Sequence, residues 1–166
     1  MDDTLELDIE GFDELDQALH DAPDIALPFA ETAVNISLQA IYANSEPYPD
    51  ETIANSPQNP SGRWYERNYG PRWIRKSGVI GGSPTSQQLQ LRWKLTEAQP
   101  STDGVEGTLE DTATYSAFVK GTRGVQSRVM AKIGWTSIED DIAASQDVID
   151  QAFSQAQTQT IAAMVK

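Results

Sequence analysis

The chain has 166 residues, with 25 Asp and Glu against 12 Lys and Arg, for a formal net charge of −13. Having no cysteine and one histidine, His20, it excludes disulfides, thiolate metal sites, cysteine nucleophiles and multi-histidine centres. The length fits one domain with its own core, no apolar run reaches the roughly 18 residues of a membrane-spanning helix, and a general nucleic-acid binder is disfavoured by net repulsion.

The opening MDDTLELDIE is acidic where a secretory signal is basic and then apolar, which points to a cytosolic or particle-bound protein. From Ile9 to His20, Phe12, Leu15 and Leu19 recur at helical spacing among acids. Pro23 and Pro28 interrupt that pattern, and Pro28 suits the first turn of a second helix. The second helix carries Phe29, Ala33, Ile36 and Ala40 on one face and Val34, Leu38 and Ile41 on another, so cover on two sides is expected. It stops before Pro47 and Pro49.

Residues 46–84 show little periodicity and hold six of the nine prolines, so a long loop is expected there. Tyr48, Trp64, Tyr65, Tyr69 and Trp73 argue that it is ordered. Leu89, Leu91, Trp93 and Leu95 alternate with polar residues from Gln88 to Thr96, which predicts a half-buried strand. Ser101 to Gly104 reads as a turn into a weaker strand through Val105, Gly107 and Leu109, and Tyr115, Ala117 and Val119 suggest a third. Residues 121–135 read as an arm or hairpin. Thr136 and Glu139 have the spacing of a capping box that opens the last helix, with Ile138, Ile142, Ile149 and Phe153 on one face. The expected fold is α+β in a single domain: a helical part over 1–45, the loop over 46–84, antiparallel strands over 85–120, the arm over 121–135 and a helix over 136–166.

Charge is unevenly spread. Residues 1–51 hold 14 acids and no Lys or Arg, whereas residues 52–96 hold one acid, Glu66, and seven bases. Either the two parts neutralise each other within one molecule, or the acidic part of one copy meets the basic part of the next.

Reactive groups are sparse. His20 with Asp16 has the spacing of a helical ion pair. Asp2-Asp3 and Asp140-Asp141 are solvated or dipole-pairing acids, and Gly78 to Gly82 lacks the Lys and Ser/Thr of a phosphate loop. A small enzyme with a carboxylate site is therefore the weakest reading, and no cofactor or metal is expected. The basic, aromatic run from Arg63 to Lys76 can stack bases and hold phosphates, but Trp, Tyr and Arg also anchor protein interfaces. The acidic whole chain favours an interface. Its expected residues are Arg63, Trp64, Tyr65, Arg67, Tyr69, Arg72, Trp73, Arg75 and Lys76, joined by Arg123 and Arg128 of the arm.

The order of Tyr65-Glu66-Arg67-Asn68-Tyr69-Gly70-Pro71-Arg72-Trp73, Thr85-Ser86-Gln87-Gln88-Leu89, Tyr115-Ser116-Ala117-Phe118-Val119-Lys120-Gly121 and Gly134-Trp135 resembles tail components of tailed bacteriophages, namely the neck, tail-completion and tail-terminator proteins of the head–tail junction. The resemblance covers roughly residues 60–140. It implies a virion protein, assembled in the host cytoplasm, that forms a ring of its own copies, expected as a hexamer, between tail tube and head connector. DNA would pass the channel without specific binding, and no membrane is involved. Tyr115, Val119 and Gly121 would mark the strand end before the arm, and Trp93 the core of the preceding strand. With Leu89 and Trp135 these are the expected structural residues. Lys120 and Val125-Gln126-Ser127-Arg128 stand where many members carry an acid and a Pro-Phe-rich segment, which leaves terminator, neck and completion roles all open.

Overall fold

The computed structural model describes residues 12–85, 89–102 and 104–165, and over 12–21 the backbone alone. Its elements run α1 (Phe12–Ser45), β1 (Arg63–Glu66), β2 (Gly70–Ile74), β3 (Ile80–Gly82), β4 (Trp93–Ser101), β5 (Gly104–Asp111), α2 (Ser116–Lys120), α3 (Arg128–Lys132) and α4 (Ile138–Met164). The fold is α+β, with two separate antiparallel sheets, β1-β2-β3 and β4-β5. Asp2-Asp3, Ser86 to Gln88 and Asp103, like the side-chain pairing expected of His20 with Asp16, lie outside the described residues.

One continuous helix replaces the two expected at the N-terminal end, because α1 runs through Pro23 and Pro28. A proline removes one hydrogen bond to the carbonyl four residues back. Asp24, whose carbonyl Pro28 leaves without that donor, is exposed, as is Pro28, so water can satisfy it. The Thr32 hydroxyl then donates to the Pro28 carbonyl at 2.9 Å.

Helix α1 is covered on two sides, by α4 and by the β4–β5 hairpin. The α1–α4 seam is made of small side chains: Ala33, Ser37 and Ser45 face Ser145 and Ala152, all at most 7% exposed. Residues four apart form the ridges of such a contact. The isoleucines expected to carry the buried face only flank it, and Ile142 and Phe153 remain 40% and 46% exposed. The cap is also shifted by one residue. Ser137, not Thr136, opens α4: its hydroxyl accepts from Asp140 N, and the Asp140 carboxylate accepts from Ser137 N.

The hairpin docks through an irregularity. Thr96 pairs with Thr108 and Gln99 with Glu106, so two residues of β4 oppose one of β5. That bulge frees the Ala98 N–H, which donates to Asn35 Oδ1 of α1 at 2.8 Å. Opposite it, Gly107 leaves room for Leu38, whose Cδ1 lies 2.7 Å from where a Cβ would sit. The expected strand over 88–96 is shifted accordingly. Leu89 to Leu91 form a 3-10 turn, the strand begins at Trp93, and Leu91 is 72% exposed rather than buried.

Three further expectations are corrected. The loop over 46–84 contains the sheet β1–β2–β3. The third strand, through Tyr115 and Val119, is the helix α2, so the strand end carried over from the phage resemblance is a helix end. The arm over 121–135 is no hairpin: Gln126 Nε2 donates to the carbonyls of Val119, Trp135 and Thr136, and α3 folds inside the segment. The main apolar cluster joins Tyr48, Leu89, Ala113, Val119, Ile133 and Trp135. Beneath it Lys120 Nζ meets Asp141 Oδ2 at 2.7 Å and donates to Ser45 O and Thr136 Oγ1.

Candidate functional site

The basic, aromatic run forms the sheet itself. Arg67, Asn68 and Tyr69 make the turn between β1 and β2, with Asn68 at φ 61°, a left-handed conformation that Asn tolerates. Pro71 sits in the central strand at the end of its ladder with β3: its carbonyl accepts from Ser83 N, just past the end of β3, and its missing N–H faces Ser83, whose carbonyl accepts from Thr85 N instead. Across the sheet, Arg63, Trp73 and Gly81 share one face and Trp64, Arg72 and Gly82 the other. The glycines are needed for cover. A Cβ at Gly81 would lie 2.7 Å from Trp73 Nε1 and 2.8 Å from Arg75 Nε, and one at Gly82 would lie 2.7 Å from the Tyr69 ring.

The expected interface residues divide into two groups. Arg72 is engaged within the chain, 2.5 Å from Glu66 and 4.0 Å from the Tyr69 ring centroid. Arg67 lies over the Tyr48 ring at 5.1 Å, and Trp64 is buried at 6% exposure. Tyr65 packs against the core cluster. Arg123 is tied down too: its guanidinium bonds Asp140 at 2.6 Å and its N–H donates to Glu139. Arg63, Arg75, Lys76 and Arg128 are exposed, while Tyr69 and Trp73 are half-buried. Of the expected structural residues, Leu89, Val119 and Trp135 lie in the main cluster with Tyr115 packed against it. Trp93 is half-buried in the hairpin opposite Asp111, its indole N–H without a hydrogen-bond partner.

Between the Arg63–Trp73 face and α3 runs a groove of about 1160 Å³. Ile53, Trp73, Ile74, Val129 and Met130 line it, and Ile53, Ile74 and Val129 are 63%, 47% and 62% exposed. Its charged lining residues are Arg63, Arg72 and Lys132, with no carboxylate. Ile53, Ile74 and Lys132 were not among the expected interface residues. Ile53 stands beside Ala54 and Ile74 beside Trp73, so no local pattern marks them, and only the fold gathers them with Lys132. A second cavity of about 610 Å³, behind Trp64 and Trp135, is instead edged by Asp50, Glu51 and Glu66 beside Arg67.

Among the residues whose side chains are described, no ion pair joins an acid of the first 51 residues to a base of residues 52–96, and no group of three His, Cys, Asp or Glu is placed to hold a metal ion. No helix is long and apolar enough to cross a membrane. The chain matches no family model, no curated protein and no solved structure.

Proposed function

We propose that the chain is a virion structural protein: a ring-forming neck or tail-terminator subunit that joins a phage tail to the head connector and acts by assembly, without catalysis. The observation that carries this reading is apolar surface left uncovered. Among the described residues ten hydrophobic side chains are buried, whereas fourteen large ones are exposed, several of them gathered in the groove and along α4. Scattered apolar groups are ordinary on a monomer, but a contiguous lined patch marks an interaction surface. The charge division between the first 51 residues and the next 45 supports contact between unlike surfaces, which ring closure requires.

The alternative, a nucleic-acid-binding module on residues 63–76, has less support. Trp64 is buried and Arg72 is held between Glu66 and Tyr69, so two of its expected contacts are engaged internally. Imaging of native particles tests the first reading, with the expected result a ring of this chain at the head–tail junction. Particles that lack the chain, together with tight, salt-sensitive binding of single-stranded DNA lost in Arg63→Glu, would replace it with the second.

A further inference from the structure

We infer that the groove between β1–β2 and α3 receives the first two turns of α1 from a second copy of this chain, so that copies join head to tail. The inference deepens the assembly reading and rests on it.

Three observations identify the occupant. The first is reach. Ser45 Oγ donates to Asp141 and Asn44 Nδ2 to Ser145, which aligns the end of α1 with the start of α4 in an antiparallel pair. Both helices rise equally per residue, so Met164, the last residue of α4, lies beside about residue 22 of α1. The segment Phe12–Asp21 is helical and runs about 15 Å past the end of its partner helix.

The second is chemistry. Residues 1–21 contain nine acids and no Lys or Arg, and Phe12, Leu15 and Leu19 recur at helical spacing. The groove offers the complement: an apolar floor of Ile53, Ile74, Val129 and Met130, cations at Arg63 and Lys132, and no lining carboxylate. An amphipathic helix laid in an apolar groove is an established mode of recognition, and opposite charge at the rim sets its register.

The third is position. The groove belongs to the end of the molecule where α1 stops: Asn55 Nδ2 donates to Ile133 O, and Ile133 packs in one cluster with Tyr48, three residues beyond Ser45. About 50 Å of helix separates Phe12 from Ser45. A chain therefore cannot fill its own groove with Phe12–Leu19, and the contact must be between copies. Unlike patches at opposite ends make a heterologous interface, which closes into a ring when the rotation allows.

Charge reversal in the full-length chain tests this, read by sedimentation over a range of concentration. Asp13→Lys with Asp16→Lys reverses the charge of residues 12–19, the first two turns of α1, from −3 to +1, and Arg63→Glu with Lys132→Glu reverses that of the groove lining from +3 to −1. Each double variant alone should associate at least tenfold more weakly than the wild type. An equimolar mixture should recover, because the basic tip then meets the acidic groove and the native tip meets the native groove. Loss caused by misfolding could not be rescued by mixing. Two variants that each associate like the wild type, or that fail to recover when mixed, overturn the inference while leaving assembly through another surface standing. A wild-type chain that stays monomeric at every concentration overturns the inference and the assembly reading together.

Discussion

Lys120 and Asp141 meet at 2.7 Å, each side chain 3% exposed, where the ends of α1 and α2 converge on the start of α4. The pair is fully supported: Asp141 also accepts from Ser45 and Thr136, and Lys120 also donates to Ser45 O. Removing one partner strands a buried charge, which costs about 3–5 kcal/mol. Lys120→Met and Asp141→Leu should each lower the unfolding free energy by about that amount in denaturant titration, and the double variant by less than their sum. Additive losses would show that the two groups do not act as a pair.

Gly81 and Gly124 separate crowding from backbone effects. Gly81→Val places a side chain against Trp73 and Arg75, whereas a Cβ at Gly124 meets nothing within 4 Å. Overpacking of this kind costs about 1–3 kcal/mol. A melting temperature clearly lowered in Gly81→Val and nearly unchanged in Gly124→Ala is the expected pair of results.

Two aspartates should give acid responses of opposite sign. Hydrogen bonds from the Ser137 side chain and from Arg123 lower the Asp140 carboxyl from 3.8 to about 2. Its stabilising contribution is complete above the ordinary value of 3.8 and is lost as pH falls toward about 2. Burial raises Asp111 above 3.8 against the opposing hydrogen bond from Ala113 N. Its neutral form is favoured in the fold, so stability declines as pH rises from 3.8 through the raised value. Relative to the wild type, Asp140→Asn should lose stability at neutral pH and converge with it near pH ~2. Asp111→Asn should be least harmful at neutral pH. Unfolding curves between the two limits measure both.

Gln126 holds the segment after α2 through three carbonyls at 2.8–3.0 Å. Gln126→Leu leaves part-buried acceptors unpaired at a cost of about 1–3 kcal/mol. Amide hydrogen exchange over residues 121–135 should accelerate, while exchange in α4 beyond its first turns stays as in the wild type.

The legible parts of the fold were those with long periods or marked ends. The last helix was visible because its pattern runs for many residues, and the weaker strand that is β5 because the turn from Ser101 to Gly104 marks its start. Tyr115, Ala117 and Val119 misled because a five-residue stretch satisfies both a period of two and a helical turn. Pro23 and Pro28 misled because proline argues against a helix interior, and at Pro28 the exposure of Asp24 and of the proline itself makes it tolerable. The α1–α4 seam could not be read from hydrophobicity, since Ser37, Ser45 and Ser145 fill it and pack by smallness. Of the candidate site, the arginines and tryptophans stood out in sequence. Which of them are engaged internally depended on Glu66, Tyr48 and Asp140, residues brought near by turns whose geometry no spacing rule announces.

The bulge at Ala98 has one more consequence. Asn35 and Leu38 fasten the hairpin to α1 at that point, and beyond it Gln99, Pro100, Ser101 and Glu106 are exposed. Length there is a free variable: residues added in pairs extend the ribbon outward and keep each side chain on its side, while the helix keeps its hold. The molecule can thus change how far this ribbon projects without renegotiating how it is attached.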